Sequence, residues 1–353
     1  METIELSATV GFDAVIDSIV CPVKEIVNGE KQFFTTIGEF GAYLQTKQNL
    51  SCMVELFNRQ TKIGGNMAIL SNALGKLGVK VNCIGSFGRP QIDPTFQSMN
   101  ANCQLTSVAQ TGSCTALEFQ DGKVMLAQTG ALQEMRWENI KEAVGLPKLR
   151  EYFTSPNMIG MLNWSEVLYS NEIWTGILKD VLAHHCANKN QIVCFDLTDF
   201  ASRTHDEVVR AINIMGEYSN HFKTIMSLNE NEARMLYMVL LKETAPQDLK
   251  AVGDAIYASI PIDMLVIHPR EGSLGWDQNG FCKVDGFFVQ QPKISTGGGD
   301  NFNAGLCYAQ MLGRNLADSM RIANGVAGFY IREGVSPTAD QLMLFLQANA
   351  TFA

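Results

Sequence analysis

Positive charge is the first scarcity. The 353-residue chain carries 27 Lys and Arg against 36 Asp and Glu, a net charge of −9. A surface this acidic excludes a general electrostatic footprint for nucleic acid or an anionic membrane, although it leaves room for a local anion site. Long apolar runs are also missing: no stretch reaches the roughly 18 uncharged apolar residues of a membrane span. The N-terminus has no basic stretch, and Glu2, Glu5, Asp13 and Asp17 interrupt its apolar residues. The expectation is a cytoplasmic protein without a secretory signal. CxxC and HExxH do not occur. The nine cysteines are odd in number, and most lie in apolar runs such as Val193-Cys194-Phe195 and Leu306-Cys307-Tyr308. This composition points to buried free thiols in a reducing compartment, not to a disulfide frame or a zinc site. Neither GxxxxGK[ST] nor GxGxxG is found, which sets aside a Walker A loop and a dinucleotide-dependent oxidoreductase.

What is present is an alternation of strands and helices, without repeats or low-complexity tracts. Ser7–Phe12 and Val79–Ile84 read as strands flanking a helix, Met67–Leu77, whose Met67, Leu70, Leu74 and Leu77 recur at helical spacing. Gln191–Leu197, Thr224–Leu228 and Met264–His268 are short apolar runs of the buried parallel kind. The segments between them, Val208–Tyr218, Glu230–Lys242 and Gln247–Ser259, read as helices. The pattern predicts an α/β protein with helices on both faces of the sheet. Val23–Phe34 with Asn28-Gly29 and Cys114–Gln128 with Asp121-Gly122 read as hairpins with type I′ turns, and Met53–Thr61 is a strand able to pair with either. They form either edge strands of the main sheet or, the preferred reading, a small projecting sheet.

Three polar motifs carry the chemistry. Lys293-Ile294-Ser295-Thr296-Gly297-Gly298-Gly299-Asp300 follows the strand-like run Phe287–Val289 and opens a helix ending near Gly313. Free N–H groups at such a helix start, unshielded by Cβ atoms, suit a phosphate; the plainer alternative is a tight loop with Asp300 as N-cap. Ile63-Gly64-Gly65-Asn66 opens the Met67–Leu77 helix and offers backbone N–H groups and an amide to a small polar ligand, or simply a turn with an Asn N-cap. Asn229 and Glu232, three apart at a helix start, suit Mg²⁺ directly or through its waters, or form a capping box.

In order and spacing, the three motifs resemble the PfkB/ribokinase-like carbohydrate kinase family from about Val10 to Gly334. Gly64-Gly65-Asn66 with Ala68 and Leu77-Gly78 is similar to its N-terminal glycine signature, Asn229–Glu232 to its NxxE, and Ser295–Asp300 to its DTxGAGD. The resemblance implies a single ribokinase-like domain over residues 1–353, with a largely parallel sheet, helices on both faces and a small β lid at about 20–36, 53–62 and 114–128. It implies transfer of the ATP γ-phosphoryl group to a hydroxyl of a sugar or sugar-like acceptor. Asp300 would be the base and Gly297, Gly298 and Gly299 the anion hole. Gly64, Gly65 and Asn66 would bind acceptor, with Asp17 preferred to Asp13 beside them and Asn163 a further candidate. Asn229, Arg270, Gly272, Thr296 and Asn324 would approach ATP, and Asn229 with Glu232 would position Mg²⁺. A homodimer through the lid is the expected assembly.

At a helix N-terminus Asp300 is expected to stay ionised. Two departures stand out. Ile294 replaces the signature's first Asp, which leaves monovalent-cation dependence open. His268-Pro269-Arg270 replaces a TxG-like turn, with Arg270 reaching ATP phosphates or a neighbouring carboxylate such as Glu271. Asp196, Asp199 and Arg203 follow a strand end, where α/β ligands sit. A nucleoside acceptor, which an aromatic clamp drawn from Phe33, Phe34, Phe119 and Trp164 would favour, is the near alternative. A non-catalytic nucleotide- or sugar-binding regulator is the more distant one.

Overall fold

The computed structural model describes residues 5–287, 289, 292–294 and 296–349. Its strands are β1 Ser7–Phe12, β2 Val15–Val27, β3 Glu30–Phe33, β4 Leu56–Gly64, β5 Lys80–Gly85, β6 Cys103–Ser107, β7 Gly112–Phe119, β8 Gly122–Gln128, β9 Met158–Met161, β10 Ile192–Phe195, β11 Lys223–Leu228, β12 Met264–Ile267, β13 Gly272–Asp277 and β14 Gly280–Asp285. Nine of them form one sheet in the order β14-β13-β12-β11-β10-β9-β1-β5-β6. The seven from β12 to β6 run parallel, and the β13–β14 hairpin closes one edge antiparallel.

The short apolar runs are strands because both of their faces are covered. In β10, Val193 and Phe195 face one hydrophobic layer while Ile192 and Cys194 face the other. β12 divides the same way, Leu265 and Ile267 against Met264 and Val266. This is the period-two pleat with helices on either side. One layer is built on Trp164, Trp174 and Tyr218. The other packs the helix Asn66–Lys76 against the helix Gly298–Met311. Asp13, Asn163, Asp196, Asn229 and His268 directly follow or lie just beyond β1, β9, β10, β11 and β12. They therefore gather at the carboxyl ends of parallel strands, where such sheets bind ligands.

Five strands form a second sheet, β3-β2-β7-β8 with β4 on the other side of β2. β2 begins at Val15, five residues before the expected start, because its first six residues pair with β7 and its first eight are matched by β4. Asn28 (φ 52°) and Gly29 (φ 84°) make the left-handed turn the sequence predicts between β2 and β3. The other hairpin differs. Its loop is Gln120-Asp121, Gly122 already pairs with Phe119, and the Asp121 carboxylate is occupied in accepting from Ile37 N at 3.0 Å. That bond anchors the helix Ile37–Gln45, which packs Phe40 and Tyr43 on Phe34 and gives the small sheet its own apolar core with Val20, Leu117 and Phe119. Of the strand-like run before the glycine motif, Phe287 and Val289 lie outside any strand, and Phe288, like Ser295, is outside the described residues.

Candidate active site

The acceptor end is built where the two sheets meet. β1 ends at Phe12 and β2 starts at Val15, so Asp13 and Asp17 stand on either side of the junction. Asp13 is fully buried. It accepts from Met67 N at 2.9 Å and from Asn163 Nδ2 at 2.9 Å. It thus caps the helix Asn66–Lys76, whose own N-cap, Gly65 (φ 86°), has no side chain to offer. Burial pushes the Asp13 carboxyl up to about 7, against the opposing pull of Asn163 and the Met67 amide. Asp17 points from β2 over Gly64, where any Cβ would collide with its carboxylate. Burial raises it as well, offset by Lys62 and Lys123 and reinforced by Glu166. Asn163, in a left-handed conformation (φ 52°), donates from one nitrogen to both Asp13 and Glu166, and its buried Oδ1 has no partner.

Asp196 ties this end to the reaction centre. Its Oδ1 accepts from Thr198 N at 2.8 Å, and its Oδ2 from Asn303 Nδ2 at 3.0 Å with a longer contact of 3.5 Å to Asn66 Nδ2. Asn66 also reaches Thr198 Oγ1 at 3.2 Å. Asp199 is exposed and accepts from Ala201 N. Arg203 turns away: its guanidinium lies 4.4 Å from the Trp164 ring, donates to the Ser165 and Leu168 carbonyls and pairs with Glu207.

The glycine run begins the helix Gly298–Met311 with Gly297 (φ 91°) as N-cap and no side-chain cap. Asp300 is therefore in the first turn and is not the cap, which leaves the leading N–H groups free of a side-chain partner. The Thr296 carbonyl accepts from Tyr330 Oη at 3.0 Å. His268 lies beside Gly299 and stacks on Phe302 at 4.6 Å. Burial pushes its imidazole down to about 4, so it is neutral at pH 7. Arg270 is exposed and makes no ion pair among the described residues, with Glu271 or any other acid. Gly272 is buried at the start of β13, where a Cβ would strike the Val284 carbonyl. Asn324 is buried, and its amide donates to Ser273 Oγ at 3.1 Å and Asp285 O at 3.2 Å, joining the helix Leu316–Glu333 to the β13–β14 hairpin.

Asn229 and Glu232 form the capping box. Glu232 N donates to Asn229 Oδ1, and Asn229 N and Nδ2 donate to Glu232 Oε2 and Oε1 at 2.9 and 2.7 Å. Each carboxylate oxygen keeps a second lone pair for a metal-bound water. No cluster of three or more His, Cys, Asp or Glu able to hold a metal occurs among the described residues. The free lone pairs of Glu232 would suit the waters of a Mg²⁺ held mainly by phosphate and water.

The surroundings of Asp300 oppose the ionisation expected of it. Its withdrawal from water and the charges of Asp196, Asp13 and Glu232 push its carboxyl well above the usual range. Glu232 is itself pushed up to about 8 by burial and by Asp196. A helix terminus contributes only about 0.3–1 kcal/mol to an anion, which burial and three like charges outweigh.

None of the four aromatic candidates clamps a base at this end. Trp164 is in the core, Phe34 and Phe119 belong to the small sheet's apolar core, and Phe33 packs on Phe57 near the far end of β2. Asn303, Thr198 and Glu166 are the site's additions beyond the sequence motifs. Asn303 carried a usable signal, three residues after Asp300 and so on the same helix face.

The prokaryotic ketohexokinase family model matches residues 3–349. A ketohexokinase of Haloferax volcanii is 27% identical over 342 residues, covering 95% of this chain and 89% of the relative. Among solved structures, the ribokinase of Thermotoga maritima superposes with a TM-score of 0.66 at 16% identity, covering 97% of this chain and 99% of the other. A fructokinase of Xylella fastidiosa with bound ATP gives 0.65 at 15%, covering 97% and 99%. With the fold, the glycine-led helix and the acidic cleft in agreement, the chain belongs to the prokaryotic ketohexokinase family within the ribokinase-like carbohydrate kinases, and it is an ATP-dependent sugar phosphotransferase.

Proposed function

We propose that the acceptor is a ketohexose and that Asp300 is the base. The observation that carries the base is Asp300 in the first turn of a helix without a side-chain cap, its carboxyl raised by burial and by Asp196, Asp13 and Glu232 around one cleft; the family match supports the ketohexose. The acceptor hydroxyl gives its proton to Asp300 as its oxygen bonds to the γ-phosphorus and ADP leaves. The N–H groups of Gly297, Gly298 and Gly299 stabilise charge on the transferred phosphoryl group. Mg²⁺, when bound, neutralises phosphate charge, and Asn229 with Glu232 would orient its waters. Asp17 binds acceptor hydroxyls, since no hydrogen bond among the described residues occupies its carboxylate. Gly64, Gly65 and Asn66 complete that wall, and Asp13 and Asn163 hold it in place. Thr296 and Arg270 lie toward ATP, and Gly272 and Asn324 support that side through the β13–β14 hairpin. The polar wall and the absence of an aromatic clamp among Phe33, Phe34, Phe119 and Trp164 favour a sugar over a nucleoside.

The small sheet acts as the lid and, in our reading, pairs two subunits. Support comes from exposed Met53, Leu56, Phe57, Met125 and Leu126 on its outer strands and the segment beside them. A cytoplasmic location accords with nine unbridged cysteines. The deciding experiment is coupled ADP release with ATP and Mg²⁺ over ketohexoses, aldohexoses, pentoses and nucleosides. Turnover fastest with D-fructose or another ketohexose is expected; faster turnover of a nucleoside would overturn the acceptor. Light scattering that returned a monomer would remove the dimer.

A further inference from the structure

Outside the direct reacting groups, one buried link joins the two helices that must meet for transfer. Asp300 and Asn303 are three apart on the helix Gly298–Met311, so they project from one face. Asn303 is 1% exposed and Asp196 is 6% exposed. Asn303 Nδ2 donates to Asp196 Oδ2 at 3.0 Å, and the same oxygen has the longer contact with Asn66 Nδ2. Asp196 is in turn fixed from its other oxygen by the Thr198 amide and hydroxyl, with Thr198 held at φ 57°. The orientation of the Asn303 amide is set by chemistry: a flip would press its carbonyl oxygen against the carboxylate. That carbonyl, Oδ1, is buried and has no partner among the described residues. An unpaired buried acceptor is costly, so its retention argues that the Asp196 bond dominates the geometry.

We propose that the Asp196–Asn303 pair is a positioning device that sets the rotation of the base-bearing helix relative to the acceptor-bearing helix, and so the distance from Asp300 to the acceptor hydroxyl. Neither residue touches the reacting atoms in this role. Asp196 is the fixed post, attached to the end of β10. Asn303 is the arm on the base helix, and Asn66 is the arm on the acceptor helix. Small errors in such alignment cost large factors in rate, because the reacting atoms must be held near 3–3.5 Å. The same pair also governs which oxygen is phosphorylated. A base helix turned away from the sugar leaves the γ-phosphoryl group open to water, and ATP is then hydrolysed to ADP and phosphate without sugar phosphate forming.

This inference rests on Asp300 as base, and the test separates the two. Purified full-length Asn303→Ala, Asp196→Asn, their double variant and Asp300→Asn are assayed with D-fructose, ATP and Mg²⁺. Sugar phosphate and total ADP are measured in the same reactions. For Asn303→Ala and Asp196→Asn we expect sugar-phosphate formation to fall at least tenfold, KM for ATP to stay within twofold, and the fraction of ADP not matched by sugar phosphate to rise. A purely structural role would lower both products together. The double variant should be no more than about twofold slower than the slower single variant, as for residues acting as one unit. Single variants within twofold of the parent, or losses that multiply in the double variant, would overturn the positioning role even if Asp300→Asn is inactive. Should Asn303→Ala not accumulate as folded protein, the isosteric Asp196→Asn decides by the same ratio. Full turnover by Asp300→Asn would instead remove the base assignment, and the positioning role with it.

Discussion

The two helices that border the cleft, Asn66–Lys76 and Gly298–Met311, are both preceded by a glycine N-cap, and they start differently. At Gly65-Asn66 a carboxylate from another element, Asp13, satisfies the leading amide of the helix. At Gly297-Gly298 no side chain does so. The local sequences are alike: small residues, positive φ at the cap, a polar side chain within the first turn. What differs is the tertiary partner. A helix start already filled by a carboxyl group has no room for a second acid, and it is suited to be a rigid wall for hydroxyl groups. A helix start left open keeps its dipole and its N–H groups for a phosphate. On the proposed assignment, one chemistry would serve as a sugar wall or a phosphate cradle, according to whether β1 delivers a carboxylate.

The sharpest test of the open start is its own base. Asp300→Asn should lower kcat by about a thousandfold or more, within the range for a lost general base in a well-oriented site. Binding of a fluorescent ATP analogue should stay within threefold, since the open amides remain. Gly297→Ala comes next. It forces alanine into φ 91° and brings its Cβ to 2.9 Å from Tyr330 Oη. The loss in kcat/KM for ATP should be about 10–100-fold, of the order of a displaced anion-hole donor, with KM for sugar little changed. The filled start should break the opposite way. Gly64→Ala displaces Asp17, so KM for sugar should rise about tenfold, as when one charge-assisted hydrogen bond is lost, while KM for ATP holds. Equal effects on both substrates from either glycine variant would erase the distinction between the two starts.

The smallest effect is one of stability. The Asp13 carboxyl sits at about 7 in the folded chain against 3.8 ordinarily. The folded state then holds a proton the unfolded state has released, so this group's contribution is complete below about pH 4 and is lost as pH rises through 7. Asp13→Asn removes that loss. Relative to the parent, the variant's melting temperature should improve between pH 5 and pH 8 by a few degrees, read by calorimetry without ligand. An unchanged difference across that range would mean Asp13 is ionised throughout.

Much of this was legible along the chain. The buried parallel strands were readable because their apolar runs are short and continuous, and the first hairpin because Asn28-Gly29 demands a left-handed turn. The β13–β14 hairpin, whose loop is Gln278-Asn279 with Gly280 already paired to Asp277, was missed because the flanking strands mix glycine, acid and aromatic residues without clean alternation. Asp121 misled because its carboxylate serves a distant helix start and not its own turn. The three motifs all fall along the one cleft at the carboxyl ends of the parallel strands. They could not show that Asp196 holds Asn303, or that Asp13 caps a helix 54 residues away, since both depend on strand order. The raised carboxyl of Asp300 was invisible for the same reason: three acids remote in sequence converge on it only in the fold.

The joint between the sheets has a mechanical consequence. Between Phe12 and Val15 the chain passes through Ala14, whose N–H donates to Ser86 Oγ at 2.8 Å and whose carbonyl accepts from the same hydroxyl at 2.9 Å. One oxygen thus grips the backbone on both sides of a single residue, like an axle through a bearing. A turn of the small sheet about that point cannot slide β2 along its length; it can only swing it. Asp17 rides three residues out on the arm, a radius of roughly 10 Å at strand spacing. A swing of a few degrees would therefore move its carboxylate by less than an ångström while leaving Asp13 still, a fine adjustment of grip on a sugar from a coarse movement at the sheet's outer end.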